Sequence, residues 1–156
     1  MLQRGDMAPD FDAVDCRGHR VTLSEYRGKK KVVLFFFPRA FTPACTLEVR
    51  NFRDNYEQIQ SHDAELIGVS VDKVEKNCRF AESEGLQFRL IGDESREISE
   101  KYGVVWPGLR VDRRATFIIS AQGVVENVIH HEIQVYRHLE DVLDRLTRAR
   151  LPAAAR

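Results

Sequence analysis

Cys45 is the residue of this chain whose sequence surroundings most clearly suggest chemistry. It follows Thr42 and Pro43, which are typical of the N-cap and the first position of an α-helix. This spacing places Cys45 in the first helical turn, where unpaired N–H groups and the helix dipole favour negative charge. Such thiols ionise readily, and a thiolate is a nucleophile. Cys45 is therefore predicted to be a reactive thiol; the alternative is a small buried apolar residue.

A dithiol exchange mechanism at Cys45 is excluded by its neighbours. That chemistry needs a second cysteine three residues earlier, and this position is Thr42. The chain has three cysteines, the others being Cys16 and Cys78. An odd, sparse set favours free thiols in a reducing cytoplasm over the disulfide framework of a secreted protein.

The elements that must position Cys45 follow from apolar patterns. Residues 32–37 are apolar on both faces and end at Pro38, which predicts a central strand covered by helices on both sides. A helix follows from Thr42 to Ile59, with apolar residues at helical spacing. The other predicted elements are a hairpin over 11–23 with its turn at Gly18, strands at 65–71, 89–91, 115–120 and 124–130, and helices at 72–84, 95–102 and 135–148.

The order of these elements indicates an α/β protein. Two βα units imply parallel strands, and the later hairpin adds antiparallel ones. The expected fold is a thioredoxin-like three-layer α/β/α arrangement with a mixed central sheet and an N-terminal β-hairpin. The length of 156 residues predicts a single domain over 1–150, with a flexible tail at 151–156.

Composition excludes several classes of function. The 24 basic and 24 acidic residues give a net charge of +0, which argues against nucleic-acid binding. The longest apolar run is far shorter than the roughly 20 residues of a membrane span. No apolar signal segment is visible near the N-terminus, so the expected location is cytoplasmic.

Residues 38–45, with the sequence PRAFTPAC, match the P-x-x-x-T-x-x-C pattern of the peroxiredoxins. The chain resembles this family over most of its length, closest to the Q-type (bacterioferritin comigratory protein-like) members, with AhpE-like members also near. Further matching segments are Ile67-Gly68-Val69-Ser70-Val71-Asp72, Lys101-Tyr102-Gly103-Val104 and Arg114-Ala115-Thr116-Phe117.

The resemblance implies a role for each of five residues. Cys45 is the peroxidatic thiolate, which attacks a peroxide oxygen and becomes sulfenic acid. Thr42 places its hydroxyl on the thiolate or the peroxide, and Pro38 closes the pocket against water. Arg114 holds the thiolate and stabilises charge on the O–O bond, while Glu48 orients Arg114.

Simpler roles stand beside these. Arg114 could be a surface cation next to Arg113, Thr42 could serve only as a helix cap, and Glu48 could only complement the helix dipole.

The cysteine that would resolve the sulfenic acid is uncertain from the sequence. Many Q-type members carry it five residues after the nucleophile, where this chain has Arg50. Cys78, in the next helix, is either a resolving cysteine or core packing beside Val74 and Ala81. Resolution by Cys78 would require local unwinding, since disulfides need Cα atoms within about 7 Å. Cys16 is the weaker candidate. If neither resolves, an external thiol reduces Cys45.

The predicted function is therefore a thiol-specific peroxidase that reduces hydrogen peroxide and organic hydroperoxides. Its reductant is a thioredoxin-type or low-molecular-weight thiol, with or without a disulfide to Cys78. No metal or organic cofactor is expected, and the protein is a monomer or a homodimer. The spacing of His130, His131 and His138 matches no metal motif, so solvated side chains are expected. The alternative function is a thioredoxin-like redox or binding module without peroxidase activity.

Overall fold

The computed structural model describes residues 1–132 and 134–150. The predicted tail at 151–156 lies outside these residues. The strands are β1 (Asp12–Val14), β2 (Arg20–Thr22), β3 (Lys31–Phe36), β4 (Ala64–Ser70), β5 (Arg89–Gly92), β6 (Ala115–Ile119) and β7 (Val125–His130). The helices are α1 (Pro43–Asp54), α2 (Tyr56–Gln60), α3 (Val74–Ser83), α4 (Glu97–Lys101) and α5 (Val135–Arg150), with a short 3₁₀ helix at Leu23–Tyr26.

The central sheet is mixed, as predicted. Its strand order is β5-β4-β3-β6-β7, and β1 and β2 form a separate antiparallel hairpin. Strands β3, β4 and β5 are parallel, whereas β6 is antiparallel to β3 and β7 is antiparallel to β6. The thioredoxin-like fold with an N-terminal hairpin is therefore confirmed.

The apolar strand β3 separates two halves of the core. Alternate residues of a strand point to opposite faces, so Phe35 packs with α1, α3 and α5, and Phe36 packs on the other face. On the first face the Phe35 ring also lies over β4, where a side chain on Gly68 would come within 2.5 Å of it. Cys45 lies on this first face, beneath three helices.

Two predicted helix boundaries were wrong. The helix predicted from Thr42 to Ile59 breaks at Asn55, which leaves helical geometry and donates its side-chain amide to the Asn51 carbonyl. Asp72 does not cap α3. Its carboxylate instead accepts the backbone N–H of Ala40, 32 residues earlier, because the ends of β3 and β4 are neighbours in the sheet.

Among the helices of the described residues, none has the length and apolar character needed to cross a membrane.

Candidate active site

Cys45 lies in the first turn of α1, as the sequence predicts. Thr42 is the N-cap and Pro43 the first helical residue. The thiol is free and only 1% exposed. The sulfur therefore lies at the N-terminal end of a helix and within the apolar core. A negative charge on a sulfur in this environment is stable only if polar groups contact it.

Thr42 occupies the cap position without using its side chain as a cap. Its hydroxyl donates to the Arg39 carbonyl at 2.8 Å and makes no hydrogen bond to a helix N–H. The loop from Arg39 to Thr42 is therefore closed on itself by this side chain. The predicted contact of the Thr42 hydroxyl with the thiolate or the peroxide stays a prediction, as does the pocket-closing role of half-buried Pro38.

Arg114 reaches Cys45 through the pairing of β6 with β3. Ala115, the first residue of β6, pairs with Phe36 near the end of β3, from which the Cys45 loop departs. The guanidinium Nη2 of Arg114 donates to Cys45 Sγ at 3.5 Å, and the side chain is 3% exposed. The alternative of a surface cation is therefore wrong. A buried guanidinium at the sulfur stabilises a thiolate.

Glu48 lies one helical turn after Cys45 and holds the same guanidinium. Its Oε1 accepts from Arg114 Nη1 at 2.5 Å, and the Arg114 Nε donates to the Glu132 carbonyl at 3.3 Å. The Glu48 side chain is 2% exposed. These partners fix the plane of the guanidinium, so that its remaining nitrogen faces the sulfur of Cys45.

Burial of Glu48 and Arg114 disfavours the charged form of each side chain. Burial raises the pKa of the Glu48 carboxyl to about 7, although the Arg114 guanidinium favours its charged form. For Arg114, burial disfavours the charge, but the nearby Glu48 and Cys45 raise its pKa above the ordinary value. Arg114 therefore stays a cation, and Glu48 is the member of the pair that takes up a proton most easily.

His138 belongs to the same buried cluster, and the prediction that it is solvated was wrong. It is fully buried on α5, where its Nε2 contacts the Thr116 hydroxyl of β6 and lies 3.9 Å from Glu48 Oε2. Burial, reinforced by His131 and Arg114, lowers the pKa of His138 to about 3, so the imidazole is neutral. Its spacing with buried Val135 and Val142 was a signal that could have placed it in the core.

The other two histidines differ from His138. His130 is exposed, and His131 is half-buried and contacts Asp141 at 2.6 Å. Within residues 1–132 and 134–150, no group of three or more His, Cys, Asp or Glu side chains is placed to hold a metal ion.

The loop before Cys45 contacts both α3 and the residues just before this helix. The Ala40 N–H donates to Asp72 Oδ2 at 2.7 Å, and the Phe41 ring packs against Phe80 of α3 with 5.1 Å between ring centroids. Phe41 is 49% exposed and has a left-handed backbone with φ of 66°. Such a conformation is costly for a non-glycine residue and marks a constrained loop. No sequence pattern by itself distinguishes Phe41 from the other residues of this loop.

Cys16 and Cys78 form a disulfide with each other, so the prediction that all three thiols are free was wrong. The hairpin turn places Cys16 beside α3, with 5.1 Å between the two Cα atoms. Both residues are half-buried and line a cleft of about 640 Å³ together with Tyr56, Arg17 and Leu86. Cys78 is therefore not bonded to Cys45 in this structure, and its role as resolving cysteine stays a prediction.

Comparison with known proteins gives consistent matches over most of the chain. The AhpC/TSA family model matches residues 4–128. Peroxiredoxin Bcp of Escherichia coli K12 is 36% identical over 145 residues, covering 85% of this chain and 92% of the relative. A chloroplastic peroxiredoxin Q of Sedum lineare is 34% identical, covering 93% and 78%. The crystal structure of peroxidoxin BcpB from Mycobacterium tuberculosis superposes with a TM-score of 0.89 at 32% identity, covering 97% of this chain and 100% of that one.

Proposed function

The chain belongs to the AhpC/TSA family and is a thiol-dependent peroxidase of the Q-type peroxiredoxins, and we propose that Cys45 is the residue that attacks the peroxide. The observation that carries this proposal is the Arg114 guanidinium 3.5 Å from a buried free thiol in the first turn of α1. Cys16 and Cys78 have no comparable cation at the sulfur among their described hydrogen bonds and are bonded to each other. The comparisons favour a peroxidase over the non-peroxidase module.

The reaction is a nucleophilic displacement at oxygen. The Cys45 thiolate attacks one oxygen of ROOH, the O–O bond breaks, and Cys45 sulfenic acid forms. The departing RO⁻ takes a proton from solvent and leaves as ROH. The Arg114 guanidinium faces the sulfur and the attacked bond, so it stabilises the thiolate and the negative charge that moves onto the leaving oxygen. Glu48 keeps the guanidinium in this orientation.

Peroxide and a thiol reductant are the partners of a peroxiredoxin. We propose hydrogen peroxide and organic hydroperoxides as substrates, and a thioredoxin-type or low-molecular-weight thiol as the reductant. A nucleophilic thiol that is oxidised in every catalytic cycle needs a reducing environment, which supports a cytoplasmic location. The oligomeric state, monomer or homodimer, is tested by light scattering after size-exclusion chromatography.

The test of the nucleophile is Cys45→Ser. An alcohol is far less nucleophilic than a thiolate, so peroxide consumption should fall below about 1% of the wild-type rate. Circular dichroism should be unchanged, since serine and cysteine have similar volumes. The matched variant is Cys78→Ser, which should keep the first step when one equivalent of peroxide is added. Wild-type consumption by Cys45→Ser would overturn the proposal.

A further inference from the structure

The Cys16–Cys78 disulfide coexists with an intact peroxide site. Cys45 is free, buried and in contact with Arg114, while the other two cysteines are already oxidised. The proposed reaction oxidises only Cys45. The folded molecule thus holds its disulfide between Cys16 and Cys78, whereas the proposed reaction with peroxide occurs at Cys45. This separation requires an explanation.

The direction of Cys78 on α3 separates it from Cys45. Phe80 is two residues later, and two residues rotate the direction by about 200°, to the opposite side of a helix. Phe80 packs against Phe37 and Phe41, on the side of the Cys45 loop. Cys78 therefore faces away from Cys45, toward Cys16 on the hairpin.

A bond between Cys45 and Cys78 is therefore incompatible with a folded α3. Turning Cys78 toward Cys45 would remove Phe80 from the core and break the hydrogen bonds of buried Asn77 to Ser70 and to the Ile91 carbonyl. Refolding of α3 restores all of these contacts. Because refolding moves Cys78 back toward Cys16, the fold favours the Cys16–Cys78 bond over the Cys45–Cys78 bond.

The hairpin holds Cys16 in place to receive Cys78. Buried Asp15 accepts the backbone N–H groups of Arg17 and His19 at 2.9 Å, which fixes the turn. The Cys16 sulfur lies 3.5 Å from the Leu90 carbonyl of β5. Cys16 is thus anchored both to its own turn and to the edge of the central sheet, and α3 is the element that must move.

We propose that Cys16 is a second resolving cysteine, which takes the disulfide from Cys45 by way of Cys78. This inference rests on Cys45 being the peroxidatic residue. First, the Cys78 thiolate attacks Cys45 sulfenic acid, which forms the Cys45–Cys78 disulfide and releases water after proton uptake. The Cys16 thiolate then attacks the sulfur of Cys78, which forms the Cys16–Cys78 disulfide and releases the Cys45 thiolate.

The relay moves the oxidised bond to a place where a reductant can reach it. Cys45 is 1% exposed, whereas Cys16 and Cys78 are half-buried and line the 640 Å³ cleft. A dithiol reductant must attack a disulfide sulfur directly, so it needs access to that sulfur. Attack on Cys16–Cys78 regenerates two thiols and oxidises the reductant, while the Cys45 site stays folded.

The experiment follows one equivalent of hydrogen peroxide through the full chain. Protein reduced with a dithiol is desalted without oxygen, mixed with peroxide, alkylated in acid and mapped by mass spectrometry. The wild type should end with a Cys16–Cys78 link and alkylated Cys45. Cys16→Ser should stop at the Cys45–Cys78 disulfide, and Cys78→Ser at Cys45 sulfenic acid. A second equivalent should then leave wild-type Cys45 as sulfenic acid, since no resolving thiol is left.

The matched control is Cys45→Ser, which keeps both thiols of the pair. It should form the Cys16–Cys78 bond at less than about 1% of the wild-type rate, because the oxidant enters only through Cys45. The relay is overturned if the wild type ends at Cys45–Cys78, if it keeps sulfenic acid beside two free thiols, or if Cys45→Ser forms the bond at the wild-type rate. Equal peroxide consumption by wild type and Cys45→Ser would instead overturn the proposed nucleophile.

Discussion

The two cysteine regions of this protein place their sulfur atoms in opposite environments. Cys45 is almost fully buried at a helix N-terminus, and its neighbours are the charged Arg114 and Glu48. Cys16 and Cys78 are half-buried at the outer edge of the sheet, and the neighbour of each sulfur is the other sulfur. The difference fits the two proposed roles, since a nucleophilic thiolate requires a buried, oriented charge, whereas a disulfide that a reductant attacks requires access.

The largest effect on the peroxide reaction is expected when the positive charge of Arg114 is removed. Arg114→Ala removes the guanidinium from the thiolate and from the leaving oxygen, so the peroxide reaction should slow by about 10²–10³-fold. Stopped-flow fluorescence or peroxide consumption measures the rate, and iodoacetamide alkylation of Cys45 should slow as well. The matched control is Arg113→Ala, whose guanidinium lies 3.8 Å over the Trp106 ring. Equal losses in the two variants would show that Arg114 has no special role.

The next effect concerns stability near Cys45. His138→Ala leaves the buried Thr116 hydroxyl without its partner and should reduce the free energy of unfolding by about 1–3 kcal/mol. The folded-state pKa of His138, about 3, is below the ordinary value of 6.5. The contribution of neutral His138 to the free energy of unfolding is therefore present above about pH 6.5 and lost as the pH falls toward 3. Urea unfolding of the wild type and of His138→Ala at several pH values measures the loss of stability and its pH dependence.

The control for this change lies in the other region. His19→Ala alters an exposed side chain in the hairpin turn near Cys16, and its unfolding free energy should be close to that of the wild type. A larger loss for His19→Ala than for His138→Ala would contradict the expectation that the buried, hydrogen-bonded histidine contributes more to stability than the exposed one.

A smaller effect is expected at Glu48. Glu48→Gln keeps the size but weakens the hold on Arg114, so the peroxide reaction should slow about tenfold. The folded-state pKa of Glu48, about 7, exceeds the ordinary value of 4.5. Its contribution to wild-type stability is then present below about pH 4.5 and declines as the pH rises toward 7. The stability of Glu48→Gln relative to wild type should therefore increase over this range, and a pH-independent difference would count against the raised pKa.

The smallest effect tests the connection between the two regions. Phe41→Ala removes the ring that packs on Phe80, an aromatic contact of about 0.5–1.5 kcal/mol. Residues 74–83 should exchange their amide hydrogens up to about tenfold faster, and Cys78 should leave its folded position more often. Leu109→Ala, which alters another exposed apolar side chain, should leave exchange in α3 unchanged. If both variants behave alike, Phe41 does not hold α3.

Local sequence was sufficient for the fold and for the position of Cys45. The apolar run of β3 predicts a strand buried on both faces, and Thr42-Pro43 predicts a helix that begins just before the cysteine. Each of these signals lies within a few residues of the feature that it predicts. The alternation of strands and helices then restricts the sheet to a few topologies. The P-x-x-x-T-x-x-C pattern was likewise sufficient for the family.

Contacts between distant segments were decided by the tertiary structure, although the family resemblance had already implied the one between Arg114 and Glu48. Arg114 meets Glu48 across 66 residues, and Ala40 meets Asp72 across 32. Periodicity along one element carries no information about such partners. The partner of His138 was decided in the same way: helical spacing could have indicated a buried side chain, but only the packing of α5 against β6 brings it to Thr116.

The pairing of the cysteines shows this division most clearly. The sequence by itself predicted Cys45 as the reactive thiol, because helix position and the family motif are both local properties. It left Cys78 undecided between Cys45 and core packing, and the structure bonds it to Cys16, 62 residues away. The physical reason is that disulfide choice depends on which Cβ atoms face each other. That depends on the side of α3 that packs against the sheet and on the place where the hairpin folds back.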